Sequence, residues 1–330
     1  MKSQEASFQV GTGEYAYDVI GGFGHEFIEA DVAGVAVDSQ DRVYVLNRSD
    51  KQPILVFEPD GTLITSWGAG LFRRAHALLR GPDDSLYCID DQGHSLRKFR
   101  TDGELVLEIE TSDSPADTGY AGTPPSVVRS GPPFNTPTGV ALSPDGDIIV
   151  SDGYGNARIH RFTAAGEFVS SFGEPGSGPG EFLTPHGVAV DQDGKIYVAD
   201  RENSRVQVFT SDGAFIAEWR SPRASCMWID DDAGTVTVTE MGEVMQGKPG
   251  EKKLVLENAP PGITVRNKDD GEILAHLPPR DPKGDGLYFS PHSIARDSMG
   301  NFYVSEVSTS YSGGLAPDDR PRVSKYLRRR

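Results

Sequence analysis

The chain has 330 residues, among them 38 Gly and 23 Pro, and a formal net charge of −17. That charge argues against a phosphate backbone or an anionic membrane as partner, and no apolar run approaches the ~20 residues of a membrane span. The opening MKSQEASFQV lacks a basic stretch followed by an apolar one and does not read as a secretory signal, while the only cysteines, Cys88 and Cys226, sit in strand-like runs and read as buried free thiols; a cytoplasmic protein is expected.

In chain order, a short run EYAYDVIGGFG (14–24) precedes a unit that recurs. Copies begin at 33 (AGVAVDSQDRVYVLNR), 76 (HALLRGPDDSLYCIDD), 137 (PTGVALSPDGDIIVSD) and 185 (PHGVAVDQDGKIYVAD). The copy at 185–219 reads as four strands of period-two alternation, GVAVD, KIYVAD, RVQVF and FIAEW, separated by the turn signals QDG and SDG. A degenerate fifth copy starts at Ser225, and a sixth opens at Pro291 without a fourth strand of its own. Since 14–24 resembles the fourth strand of the other copies, it is expected to pair with the last unit and close a ring. The predicted fold is all-β, a six-bladed propeller in one domain over 1–330. The segments 112–132 and 308–320 are expected to be loops, the first on the surface between blades two and three, the second mobile on the final blade, and lids over the channel mouth are plausible roles for them and for 240–262.

Histidine falls at one register position in three alternate repeats: His76 in RAHALLRG, His186 in TPHGVAVD and His292 in SPHSIARD. The other three repeats carry Ala33, Thr138 and Ser225 there. A lone histidine at a strand start is ordinarily a core or turn residue. Three in register on alternate blades would converge on the axis about 120° apart, and three imidazoles with an open fourth position suit a catalytic zinc, with Fe, Co or Ni as alternatives. A second recurrence, Asn47, Asp90, Asp152, Asp200, Glu240 and Glu306 at the end of the second strand, reads as structural turn and inter-blade hydrogen bonding. One residue beyond it stand Arg48 and Arg201, with Asp91, Gly153, Met241 and Val307 as equivalents. These arginines would overhang the channel mouth, where a guanidinium suits a substrate carboxylate. Tyr154, in the adjacent turn of repeat three, could serve there as a base.

The repeats resemble NHL repeats. Within that group the runs FNTPTGVALSPDGDIIVSDGYGNARIHRF, SGPGEFLTPHGVAV and VADRENSRVQVF resemble peptidyl-α-hydroxyglycine α-amidating lyase, the lyase domain of peptidylglycine α-amidating enzymes, here in a stand-alone, bacterial-type form. The resemblance extends from about Val32 to Tyr303 and is densest over 134–209. It implies zinc on His76, His186 and His292, Tyr154 as catalytic base, and Arg48 and Arg201 as active-site arginines. It also implies cleavage of a carbinolamide to an amide and glyoxylate. The sequence departs from the family's animal members at Ser290, Ser293 and Gly155, where they carry Met, an Asp that helps bind a structural calcium, and a Cys. With no monooxygenase domain to supply a peptide substrate, a small carboxylate-bearing hemiaminal is expected instead. Two other readings stay open: a metal-dependent hydrolase of a lactone or ester, and a non-enzymatic NHL module that binds a partner.

Overall fold

The computed structural model describes residues 8–111, 113–122, 126–242, 244–245, 254–255, 259–278, 290–312 and 321–329. Six antiparallel sheets of at least four strands make the six blades of a β-propeller. Their innermost strands are Val32–Val37, Ala75–Arg80, Gly139–Leu142, Pro185–Val190, Ala224–Asp230 and Pro291–Arg296. Each innermost strand packs beside that of the next blade, and the sixth packs against the first, so the ring is closed.

A single four-stranded sheet has nothing of its own to bury its faces against; each face needs a neighbour. Accordingly the core is divided into six clusters, one between each pair of adjacent blades. Phe23, Phe57 and Tyr303 join the last blade to the first, and Tyr17, Ile263 and Tyr326 join the fifth to the sixth. The hairpin after each inner strand follows from its turn residues. Asp191 accepts the backbone N–H groups of Asp193 and Lys195, and Gly194 takes a φ of +82°. In the first blade, SQDR lacks that glycine, and Asp41 adopts a φ of +61° in its place.

The ring is closed as the sequence predicted, within narrower bounds. Tyr17–Ile20 pairs antiparallel with Val323–Arg328 as the fourth strand of blade six. The rest of 14–24 is not strand, because Gly13–Tyr15 forms a 3-10 turn and Gly22 and Gly24 take positive φ. The sequence reading missed Phe8–Val10, which adds a fifth strand outside Tyr17–Ile20.

One further expectation is corrected. Ser308–Ser312, within the predicted loop 308–320, is a short helix whose start is tied down: the Thr309 and Ser310 N–H groups donate to the Asp31 carboxylate. Residues 313–320 lie outside the described residues. The insert 112–132 runs mostly at the surface but is anchored at two points. Ala116 and Thr118 are enclosed, and the Thr118 hydroxyl donates to the Gly155 carbonyl at 2.6 Å. Residues 112 and 123–125 lie outside the described residues, as do 243, 246–253 and 256–258 of the excursion at 240–262. Cys88 is buried, whereas Cys226 is half-buried along the channel; neither is in a disulfide. No helix among the described residues is long and apolar enough to cross a membrane.

Candidate metal centre

The three register histidines meet on the propeller axis. Their ring centroids are 5.0, 5.0 and 4.8 Å apart, and each offers a donor nitrogen within 4.8 Å of the others. All three are buried. Each Nδ1 faces a backbone carbonyl of the next blade: His76 that of Thr138 at 2.7 Å, His186 that of Ser225 at 2.8 Å, His292 that of Ala33 at 2.8 Å. A carbonyl only accepts, so Nδ1 carries the proton and Nε2 keeps its lone pair for the axis. The acceptors are the very residues that replace histidine in the alternate repeats. The three-fold pattern in the sequence is thus a donor ring and an acceptor ring interleaved.

The close approach has a steric condition. A Cβ on Gly187 would lie 2.4 Å from the Ser225 carbonyl oxygen, the oxygen that holds His186. Only glycine lets the two inner strands come this near. Burial pushes His76 and His186 well below the ordinary imidazole range, and His292 down to about 3. Nearby charge adds to this, from the other imidazoles at His76, from Arg201 at His186 and from Arg48 at His292. Three neutral imidazoles result, and the buried Nε2 of His292 has no hydrogen-bond partner. A dry, unpaired lone pair costs free energy unless something accepts it, so the donor set fits a divalent transition metal.

Tyr154 covers this cluster from one mouth of the channel. Its hydroxyl lies 2.9 Å from His76 Nε2, 3.2 Å from His186 Nε2 and 3.3 Å from Arg201 Nη1. The turn that carries it is held from several sides. Tyr154 and Gly155 donate backbone N–H groups to the Thr136 and Asn135 carbonyls, and Asn156 donates to Asp152 at 2.9 Å. Arg201 is buried; its backbone N–H donates to Thr184 and its Nε to Glu202 at 3.0 Å. Arg48 lies at the same mouth, donating to the Ala75 carbonyl at 3.3 Å and to the Ser310 hydroxyl at 2.8 Å.

The structure thus brings His76, His186, His292, Tyr154 and Arg201 into direct contact, with Arg48 beside them. Ser293, in the position of the family's calcium-binding aspartate, accepts the Val35 N–H. The recurring acids are all buried, and three of them organise the approach to the inner strand of their blade. Asp90 accepts the Arg73 and Arg74 N–H groups, Asp152 that of Asn135, and Asp200 those of Leu183 and Thr184.

Sequence reasoning missed Arg74 and Arg223, which also stand at this mouth. Arg74 pairs with Asp91 through Nε at 2.8 Å to both carboxylate oxygens, and its guanidinium lies 5.5 Å over the Tyr154 ring. Arg223 donates to Glu202 at 2.5 Å and lies over Tyr311. Both occupy the position two residues before the histidine register, so the repeat alignment that located Arg48 could have found them. On the other side of the triad a channel of about 690 Å³ runs along the inner strands to the opposite mouth, between apolar residues such as Val35, Val140, Val188 and Ile294.

Comparison with known proteins agrees with this architecture. The NHL repeat model matches residues 134–162 and 182–209. Mouse NHL repeat-containing protein 3 is 31% identical over 274 residues, covering 77% of this chain and 74% of that protein. The chain belongs to the NHL-repeat proteins. Rat peptidylglycine alpha-amidating monooxygenase is 29% identical over 218 residues, 56% of this chain and 21% of that protein. Peptidyl-alpha-hydroxyglycine alpha-amidating lyase 1 of Drosophila melanogaster is 32% identical over 182 residues, 51% of this chain and 31% of that protein. The chain therefore spans about a fifth of the rat enzyme's length, and within the NHL group it resembles the amidating lyase domain.

Proposed function

We propose that the chain is a zinc-dependent carbon–nitrogen lyase that splits an α-hydroxyglycine-type carbinolamide, R–CO–NH–CH(OH)–COO⁻, into R–CO–NH₂ and glyoxylate. The observation that carries this reading is the tyrosine hydroxyl set directly on two of three converging, carbonyl-locked imidazoles, with a guanidinium on its other side. His76, His186 and His292 would hold the zinc through Nε2. When bound, zinc supplies Lewis acidity that makes a substrate hydroxyl easier to deprotonate.

The protein's own groups account for the rest. Arg48 binds the substrate carboxylate and fixes the α-carbon over the triad. Tyr154, as phenolate, takes the hydroxyl proton on Oη, and Arg201 Nη1 stabilises the charge while the oxygen is bare. The oxygen's electron pair closes the carbonyl of glyoxylate, the C–N bond breaks, and the departing amide nitrogen takes the proton back from Tyr154. Atoms balance without water, which separates this chemistry from hydrolysis. The buried triad and the enclosed Thr118 side chain behind the Tyr154 turn limit water at the reacting centre.

The test is turnover of an N-acyl-α-hydroxyglycine such as α-hydroxyhippurate by zinc-loaded protein. Benzamide and glyoxylate should appear in equal amounts, with no solvent oxygen in glyoxylate's new carbonyl beyond its exchange with water. Release of benzoate, with solvent oxygen in its carboxylate, would place the chain among hydrolases instead.

A further inference from the structure

Six residues ring the Tyr154 mouth, and opposite blades carry the same type. Arg48 and Arg201 stand on blades one and four, Arg74 and Arg223 on two and five, Tyr154 and Tyr311 on three and six. Four guanidiniums around one opening would ordinarily make a site for a multiply charged anion. Their partners say otherwise. The Asp91 carboxylate, fully buried, holds Arg74 in a two-pronged pair. Glu202 bridges two others, accepting from Arg201 Nε at 3.0 Å and from Arg223 Nη1 at 2.5 Å. Burial opposes a charge on Glu202, but Arg201 and Arg223 outweigh it and hold its carboxyl below the usual range. Arg48 differs: its direct contacts are a carbonyl and a hydroxyl, and although Asp91 is within electrostatic reach, among the described residues no carboxylate forms an ion pair with it.

We infer that Glu202, seconded by Asp91, is a specificity determinant that leaves one guanidinium, Arg48, available to a ligand anion. The mouth therefore takes a ligand with a single carboxylate and a neutral far end. A ligand with a second carboxylate would have to displace a partly buried acid already paired with two arginines. It would otherwise sit against that acid, and like-charge juxtaposition of this kind discriminates by repulsion. Glu202 leaves Arg201 Nη1 on the Tyr154 hydroxyl, so the same acid spares the contact that the chemistry uses. The inference rests on the lyase reading only in taking Arg48 as the carboxylate anchor.

The test is calorimetric binding of two inert probes of equal length to zinc-loaded protein. N-butanoylglycine ends in a methyl group, and N-succinylglycine has a carboxylate in its place. Wild type should bind the first at least tenfold more tightly, a comparison that needs no variant to fold. Glu202→Gln should tighten N-succinylglycine at least fivefold and leave N-butanoylglycine within twofold; Asp91→Asn should move the same ratio in the same direction. Arg48→Ala should weaken N-butanoylglycine at least tenfold. Equal binding of the two probes by wild type, or a Glu202→Gln variant that folds and moves neither, would overturn the inference. If Arg48→Ala loses the monocarboxylate while Glu202→Gln changes nothing, the lyase reading stands and Glu202 alone is refuted. If Arg48→Ala binds like wild type, the carboxylate anchor of both is wrong.

Discussion

His292 is held under exacting conditions. Its Nδ1 is tied to the Ala33 carbonyl, which leaves a buried, unpartnered Nε2 aimed at two other imidazoles. Replacing it with alanine should remove metal from the protein, read by elemental analysis, while the far-ultraviolet spectrum stays that of the wild type. Tyr154→Phe should behave in the opposite way. The ring and the stacking of Arg74 and Arg201 over it remain while the hydroxyl and its Arg201 hydrogen bond go, so metal content should hold, and kcat should fall by about 10²–10⁴, the usual worth of a general base. Retention of full turnover by that variant would remove Tyr154 from the mechanism. At this scale the sequence was unusually legible, since register alone placed all three imidazoles, Arg48 and Arg201. It did not disclose that the non-histidine residues Thr138, Ser225 and Ala33 hold the imidazoles, because the groups that do so are backbone carbonyls. A carbonyl has no signature in the sequence.

Individual strands and turns hold those atoms to tolerance. Gly187 has no Cβ to strike the Ser225 carbonyl, so Gly187→Ala should push the two inner strands apart and loosen His186. Zinc affinity should fall about 10–100-fold, as for other losses of ligand support, measured by competition with a chelator. Asp200 at the end of its strand accepts from Leu183, Asn203 and Arg205. Asp200→Ala would leave the buried Arg205 without that partner and should cost about 3–5 kcal/mol, measured by urea unfolding. The turn signals in the sequence located these hairpins well. It was less informative for Ser308–Ser312, whose polar, aperiodic sequence reads as loop; the short helix owes its place to Asp31, which is distant in the chain.

On the scale of the whole molecule, closure of the ring depends on the chain's first strands. Removing residues 1–20 would strip two strands from blade six and uncover Ile263, Phe302 and Tyr326, which pack on Tyr17 and Val19. Cooperative thermal unfolding should be lost or its midpoint lowered by many degrees. The triad also gives the metal-free protein a pH dependence. Its imidazoles have folded pKa values depressed by burial, so below about 6.5 the unfolded chain binds more protons than the folded one. Stability should then fall as pH falls, by up to about 4 kcal/mol per pH unit for three such groups, seen as a steep loss of denaturation midpoint between pH 6.5 and 5. Six repeats were visible in the sequence because each blade repeats one strand pattern. The extra strand Phe8–Val10 was not, since three residues carry no usable period.

The central claim is that three alternate blades build one metal centre. It is tested most directly by plasma mass spectrometry on protein purified without an affinity tag, beside His186→Ala. The account predicts about one zinc per chain in the wild type and none in the variant. No metal in either, after incubation with zinc, would contradict it.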